Sequence, residues 1–79
     1  MKNKKVKIIW NDCKLFSPEN KDVLISKMKT TGIFEAKRDS YVVIKNPITV
    51  DLKTKKKHPQ KNPSYYLIPI EMIENIKEL

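Results

Sequence analysis

TGIFEAKRDSYVVIKNPITVDL, residues 31–52, decides the fold class. Residues 33–37 and 41–44 are rich in β-branched and aromatic side chains, and the polar Arg38-Asp39-Ser40 between them has hairpin length, so the two runs read as an antiparallel pair. Asn46-Pro47 interrupts the pattern. Ile48, Val50 and Leu52 then alternate with Thr49 and Asp51, the period of a further strand. Gly32, the one glycine of the chain, sits inside these strand signals, where it predicts a bulge or a sharp bend.

Strand signals continue on both sides. Val6, Ile8 and Trp10 alternate with Lys5, Lys7 and Ile9, as in a strand with one buried face, until Asn11-Asp12 ends the run. Ser17-Pro18-Glu19 has the marks of a helix start: a capping oxygen, a proline set for the first turn and an acid near the positive end of the dipole. Beyond it two readings stay open. Leu24 and Met28, four apart, suit a helix, whereas Leu24, Ser26, Met28 and Thr30 alternate as a strand does; the expectation is a helical turn at about residues 18–22 and then a strand. Further on, His58-Pro59 and Asn62-Pro63 favour extended backbone, so the lysines around them ride on a stiffened loop. Residues 65–68 resume as a strand, which Pro69 ends. The tail, residues 70–79, reads as a turn plus a final strand or as a short helix with Met72, Ile73 and Ile76 on one face. Five short strands with at most one helical turn give a mainly all-β fold, a small closed or nearly closed barrel.

With 79 residues the chain is one domain, residues 1–79, and buries only about 60–65% of its unfolded surface. A lone cysteine, Cys13, excludes an internal disulfide, so a partner subunit is the remaining way to enlarge the core and a homo-oligomer is expected. No signal-peptide pattern follows Met1, and no apolar run approaches the roughly 20 residues of a membrane span. These features point to a reduced, soluble, cytoplasmic protein with no membrane partner.

The formal net charge is +8, and its placement matters more than its size. Lys2, Lys4, Lys5 and Lys7 lie in residues 1–7; Lys53, Lys55, Lys56, Lys57 and Lys61 lie in residues 53–63; neither stretch holds an acid. The rest of the chain is close to neutral. Segregated charge of this kind makes a local field that attracts phosphates, while a solvated tail and loop is the plainer account.

Catalytic chemistry has few groups to work with. One histidine and one cysteine do not make a metal cluster. His58 sits among lysines that disfavour its protonation and reads as a solvated loop residue; Cys13 reads as a small packing residue with no base beside it in sequence. Asp12, Asp39 and Asp51 stand at strand ends, where acids shape turns, and a single glycine excludes a glycine-rich phosphate loop. No enzyme and no cofactor is expected.

Binding chemistry is better supplied. Lys61 precedes Tyr65-Tyr66 and Lys45 follows Tyr41; cations that neutralise phosphates beside rings that stack on bases are what single-stranded nucleic acids use. Tyr65 and Tyr66 point to opposite faces of a strand. Tyr66 shares its face with Ile68 and belongs to the core, as does Trp10, which leaves Tyr65 as the stacker or as an edge aromatic at a subunit interface. The candidate ligand-binding set is Lys53, Lys55, Lys56, Lys57, Lys61 and Tyr65.

The order of parts, with Thr31-Gly32-Ile33 entering a bent strand, a hairpin through Asp39, and a return through Ile68-Pro69 to residues 73–76, resembles the Sm-like barrel, itself close to SH3-like barrels. Together with residues 6–12 it is similar to small uncharacterised phage and prokaryotic proteins of that barrel type. The resemblance implies homo-oligomers that bind RNA. It reaches barrel shape and edge-strand pairing but not the family's uridine pocket, because Val43 stands where an asparagine is expected and Pro69-Ile70 where an Arg-Gly pair is. Three function classes follow. One is a basic barrel binding RNA or single-stranded DNA. The second is a phage-type counter-defence protein that sequesters an anionic nucleotide messenger or blocks a host protein. The third is a plain protein-binding module, which segregated charge disfavours.

Overall fold

The computed structural model describes residues 2–13, 25–55, 57–58 and 63–79. Six strands form one antiparallel sheet: β1 (Lys5–Cys13), β2 (Ile25–Lys37), β3 (Tyr41–Asp51), β4 (Lys57–His58), β5 (Tyr65–Pro69) and β6 (Ile73–Glu78). Runs expected as separate strands merge: residues 25–30 and 33–37 lie in one β2, and residues 41–44 and 48–51 in one β3, while β4 is an additional two-residue strand inside the lysine loop. The helical turn expected at residues 18–22 lies outside the described residues.

β1 pairs with β2 without a break, from Lys5 opposite Ile33 to Cys13 opposite Ile25. Residues 25–30 are therefore strand, and the two-residue alternation of Ser26, Met28 and Thr30 is the signal that holds. β2 turns into β3 through Arg38-Asp39-Ser40, closed by the Arg38 N–H donating to the Tyr41 carbonyl at 2.8 Å. The far edge of β3 carries two partners, β5 along residues 41–45 and β4 at residues 49–50. A 3-10 turn, Ile70–Met72, then takes the chain from β5 to β6, which pairs with β1. The tail thus follows the turn-plus-strand alternative.

Asn46-Pro47 does not interrupt β3. Thr31 faces Ile48 and Ile33 faces Lys45, so Gly32 alone stands opposite both Asn46 and Pro47, a β-bulge. Asn46 supplies the left-handed backbone this needs (φ 51°), a conformation asparagine tolerates better than most residues. Its side-chain oxygen accepts from the Ser64 N–H at 3.1 Å, and its own N–H donates to the Ser64 carbonyl at 2.8 Å. Gly32 is required by close approach: a Cβ there would meet the Ile44 side chain and stand 2.9 Å from the Lys45 carbonyl oxygen.

The bulge reverses which face of β3 is buried. Before it Val42 and Ile44 point inward; after it Pro47, Thr49 and Asp51 do, and Ile48 is 54% exposed. The apolar alternation of Ile48, Val50 and Leu52 therefore faces away from the core. The core comprises Val6, Ile8, Trp10, Met28, Phe34, Val42, Ile44 and Ile68, side chains of a kind that contribute about 1.5–3 kcal/mol each when fully buried. Tyr66, Ile70, Met72, Ile73 and Ile76 pack against it.

Candidate polyanion-binding surface

β4 and β5 both run antiparallel along the same edge of β3. β4 pairs with Thr49 and Val50, and β5 with residues 41–45 of the same edge. The lysine loop begins in the turn after β3, where the Asp51 carboxylate accepts the Lys53 and Thr54 N–H groups at 2.8 and 3.1 Å and its carbonyl accepts the Lys55 N–H at 2.7 Å. This satisfied turn fixes the backbone and leaves the ammonium groups outside. Lys53, Lys55 and Lys57 are all exposed, Lys55 with a left-handed backbone (φ 63°) and Lys57 opposite Val50. Lys56 and Lys61 lie outside the described residues, as do the side chains of Cys13 and His58.

Tyr65 is 57% exposed, and Tyr66 turns inward with its ring edge-to-face on Trp10 (5.8 Å between centroids, 66°). The division of labour between the two tyrosines is the one alternation implies. Of the loop lysines, the described Lys53, Lys55 and Lys57 are not joined to Tyr65. Its register partner is Lys45, and Val50, the partner of Lys57, lies five steps further along β3, on the order of 15 Å at about 3.3 Å per residue.

Among the described residues the two lysine runs do not meet either. Lys5 pairs beside Ile33 at one end of β1, whereas the loop hangs from the Met28–Asp51 end, where the Leu52 N–H donates to the Lys27 carbonyl at 2.9 Å. Other cations take up the space between them. Lys7 and Lys29 point outward from β1 and β2, Lys45 from β3 and Lys77 from β6, alternating with the buried core positions. The alternation of Lys5 and Lys7 with apolar residues hinted at this face; the registers that add Lys29 and Lys77 are long-range and leave no local signal. One ion pair forms among the described residues, Lys27–Glu74 at 3.1 Å, half-exposed on both sides and of small energetic weight.

Under the loop end lies a buried polar chain. The Trp10 indole N–H donates to the Thr30 hydroxyl at 2.9 Å, and the Thr30 and Thr49 hydroxyls share a hydrogen bond of 2.8 Å. Burial pushes the Tyr66 phenol above its ordinary pKa, and the Asp12 carboxylate adds to the shift. At the opposite end Phe34, Lys37, Val42, Ile70, Ile73 and Ile76 line a cleft of about 450 Å³. Its apolar walls and single ammonium suit a small anion with an apolar part.

Among the described residues no three His, Cys, Asp or Glu side chains gather as a metal ion would need, and no helix is long and apolar enough to cross a membrane. Comparison of the chain with family models, curated proteins and solved structures finds no match.

Proposed function

We propose that this protein is a non-enzymatic, basic small barrel that binds RNA or single-stranded DNA and works as a homo-oligomer. The observation that carries the reading is the exposed ring of Tyr65 in register with Lys45, on a sheet whose outward positions are rich in lysine. A base can stack on the ring while phosphates meet the cations, each stack contributing about 1–3 kcal/mol. Barrel closure is supported by the 3-10 turn, which joins β5 on the edge of β3 to β6 on the edge of β1 within three residues. The same order of elements suits the Sm-like resemblance. Self-association is supported by the one-sided pairing of β5 and β6 and by the exposed Leu67 and Tyr65, since open strand edges are templates for another chain.

The cleft beside Lys37 favours a second reading, sequestration of a nucleotide, with Phe34 against the base and Lys37 near a phosphate. Light scattering combined with fluorescence anisotropy distinguishes the two. The first reading expects an oligomer that binds a labelled strand of about 12 nucleotides far more tightly than a mononucleotide. A monomer that binds neither would contradict both readings, and stoichiometric mononucleotide binding with no preference for the strand would favour the second.

A further inference from the structure

Lys7 on β1 and Lys77 on β6 stand directly opposite each other. Like charges in that position destabilise a sheet, and neither has an acidic partner among the described residues. The positions around them sharpen the anomaly. Lys5 lies two residues along β1, Ile9 two residues the other way and opposite Asn75, and Lys29, Thr31 and Ile33 are the β2 partners of Ile9, Lys7 and Lys5. Of these eight outward neighbours four are lysines and none is an acid.

Two ordinary explanations fall short. Lysines guard strand edges against aggregation, which would account for Lys77 on the edge strand β6, but β1 and β2 are interior strands of the sheet. A face serving solubility alone mixes both signs, and these eight positions do not; on the flank of the patch the Glu74 carboxylate is already paired with Lys27. Repeated cations without counter-charge fit a surface whose charges are neutralised by a ligand. Lysines two residues apart on a strand lie about 6.6 Å apart, a step comparable to that between successive phosphates of an extended strand. The row Lys5–Ile33–Lys45–Tyr65 links the cluster across β2 and β3 to the exposed ring, so the face offers cations in sequence and an aromatic platform at its margin.

We propose that the outward face of β6, β1 and β2, built on Lys5, Lys7, Lys29 and Lys77, is the surface that holds the phosphodiester backbone of a single-stranded nucleic acid. The proposal rests on the nucleic-acid reading above and gives its phosphate contact to the sheet rather than to the Lys53–Lys57 turn expected from the sequence.

Two variants test it, K5A/K7A/K29A/K77A and K53A/K55A/K57A, in salt titrations of binding to a fluorescein-labelled oligo-uridylate. Each phosphate contact adds about 0.7 to the slope of log affinity against log salt for single strands. The face variant is expected to flatten that slope by about two to three units, and the loop variant to leave most of it intact. Removing Lys7–Lys77 repulsion also leaves the fold no less stable, and K7Q/K77Q serves as the milder variant if four replacements disturb folding. A flattened slope in the loop variant with the parent's slope in the face variant would overturn the proposal and leave the nucleic-acid reading standing. A parent that ignores the oligonucleotide would overturn both. Tighter binding of the parent to vesicles containing phosphatidylserine, lost in the face variant, would assign the surface to a membrane instead.

Discussion

The hydroxyls of Thr30 and Thr49 share a hydrogen bond of 2.8 Å inside the sheet, and Thr30 also accepts the Trp10 indole N–H at 2.9 Å. Thr30 is thus the middle member of a chain that runs from β1 through β2 to β3, and Thr49 is its end. Removing a middle member strands two partners in a dry environment, each costing about 1–3 kcal/mol. Thr30→Val is expected to lower unfolding free energy by roughly 2–4 kcal/mol and Thr49→Val by about 1–2. Urea denaturation measures both, and equal or reversed effects would contradict the assigned order.

The bulge gives a second pair of variants. Gly32→Ala places a Cβ against Ile44 and the Lys45 carbonyl, an overpacking that typically costs about 1–3 kcal/mol. Asn46→Gly keeps the left-handed backbone and loses only the bond to Ser64, so it is the milder change; Asn46→Val adds backbone strain and is the harsher one. Thermal melts that rank Asn46→Gly below Asn46→Val would show that backbone conformation is not what Asn46 provides.

These same residues show how far the sequence could be read. Val6, Ile8 and Trp10, and the inward Tyr66 beside the outward Tyr65, were legible because period two is a local signal. The bend at Gly32 was legible because a lone glycine among strand residues has few other uses. Asn46-Pro47 looked like a break because proline cannot donate to a ladder; it is tolerated here because two residues share one partner across the bulge. That extra residue inverts the faces beyond it, so Thr49 and Asp51 are buried while Ile48 is exposed, against the apolar alternation. The lysine runs drew the eye to chain segments, yet the cations that gather on the sheet come from Lys5, Lys7, Lys29 and Lys77, which only long-range register unites.

Tyr66 makes the alkaline limit of stability testable. Its phenol is raised above 10.0 by burial and then by Asp12, so between the unfolded and folded values the native state keeps a proton that the unfolded chain has released. Stability owed to this group is therefore fully present below pH 10.0 and falls as pH rises through the folded value. Tyr66→Phe is expected to remove that part of the decline, and Asp12→Asn to lower the Tyr66 titration midpoint followed by ultraviolet absorbance. A midpoint indifferent to Asp12→Asn would contradict the coulombic cause.

Tyr65 separates stacking from charge. Its ring is exposed and outside the core, so Tyr65→Ala is expected to leave the fold intact and weaken oligonucleotide binding by about 1–3 kcal/mol, with no change in salt slope because stacking releases no ions. Fluorescence anisotropy at several salt concentrations reads both quantities, and a changed slope with unchanged affinity would remove Tyr65 from the contact.

The central claim, that the uncompensated lysines of this protein meet a chain of phosphates, is tested most directly by the affinity of the parent protein for a single-stranded oligonucleotide across salt concentration. The expected result is a straight line of log affinity against log salt, falling with a slope of about 2 to 4 as several condensed counterions are released. Binding that is absent at low salt, or that persists unchanged as salt rises, would contradict it.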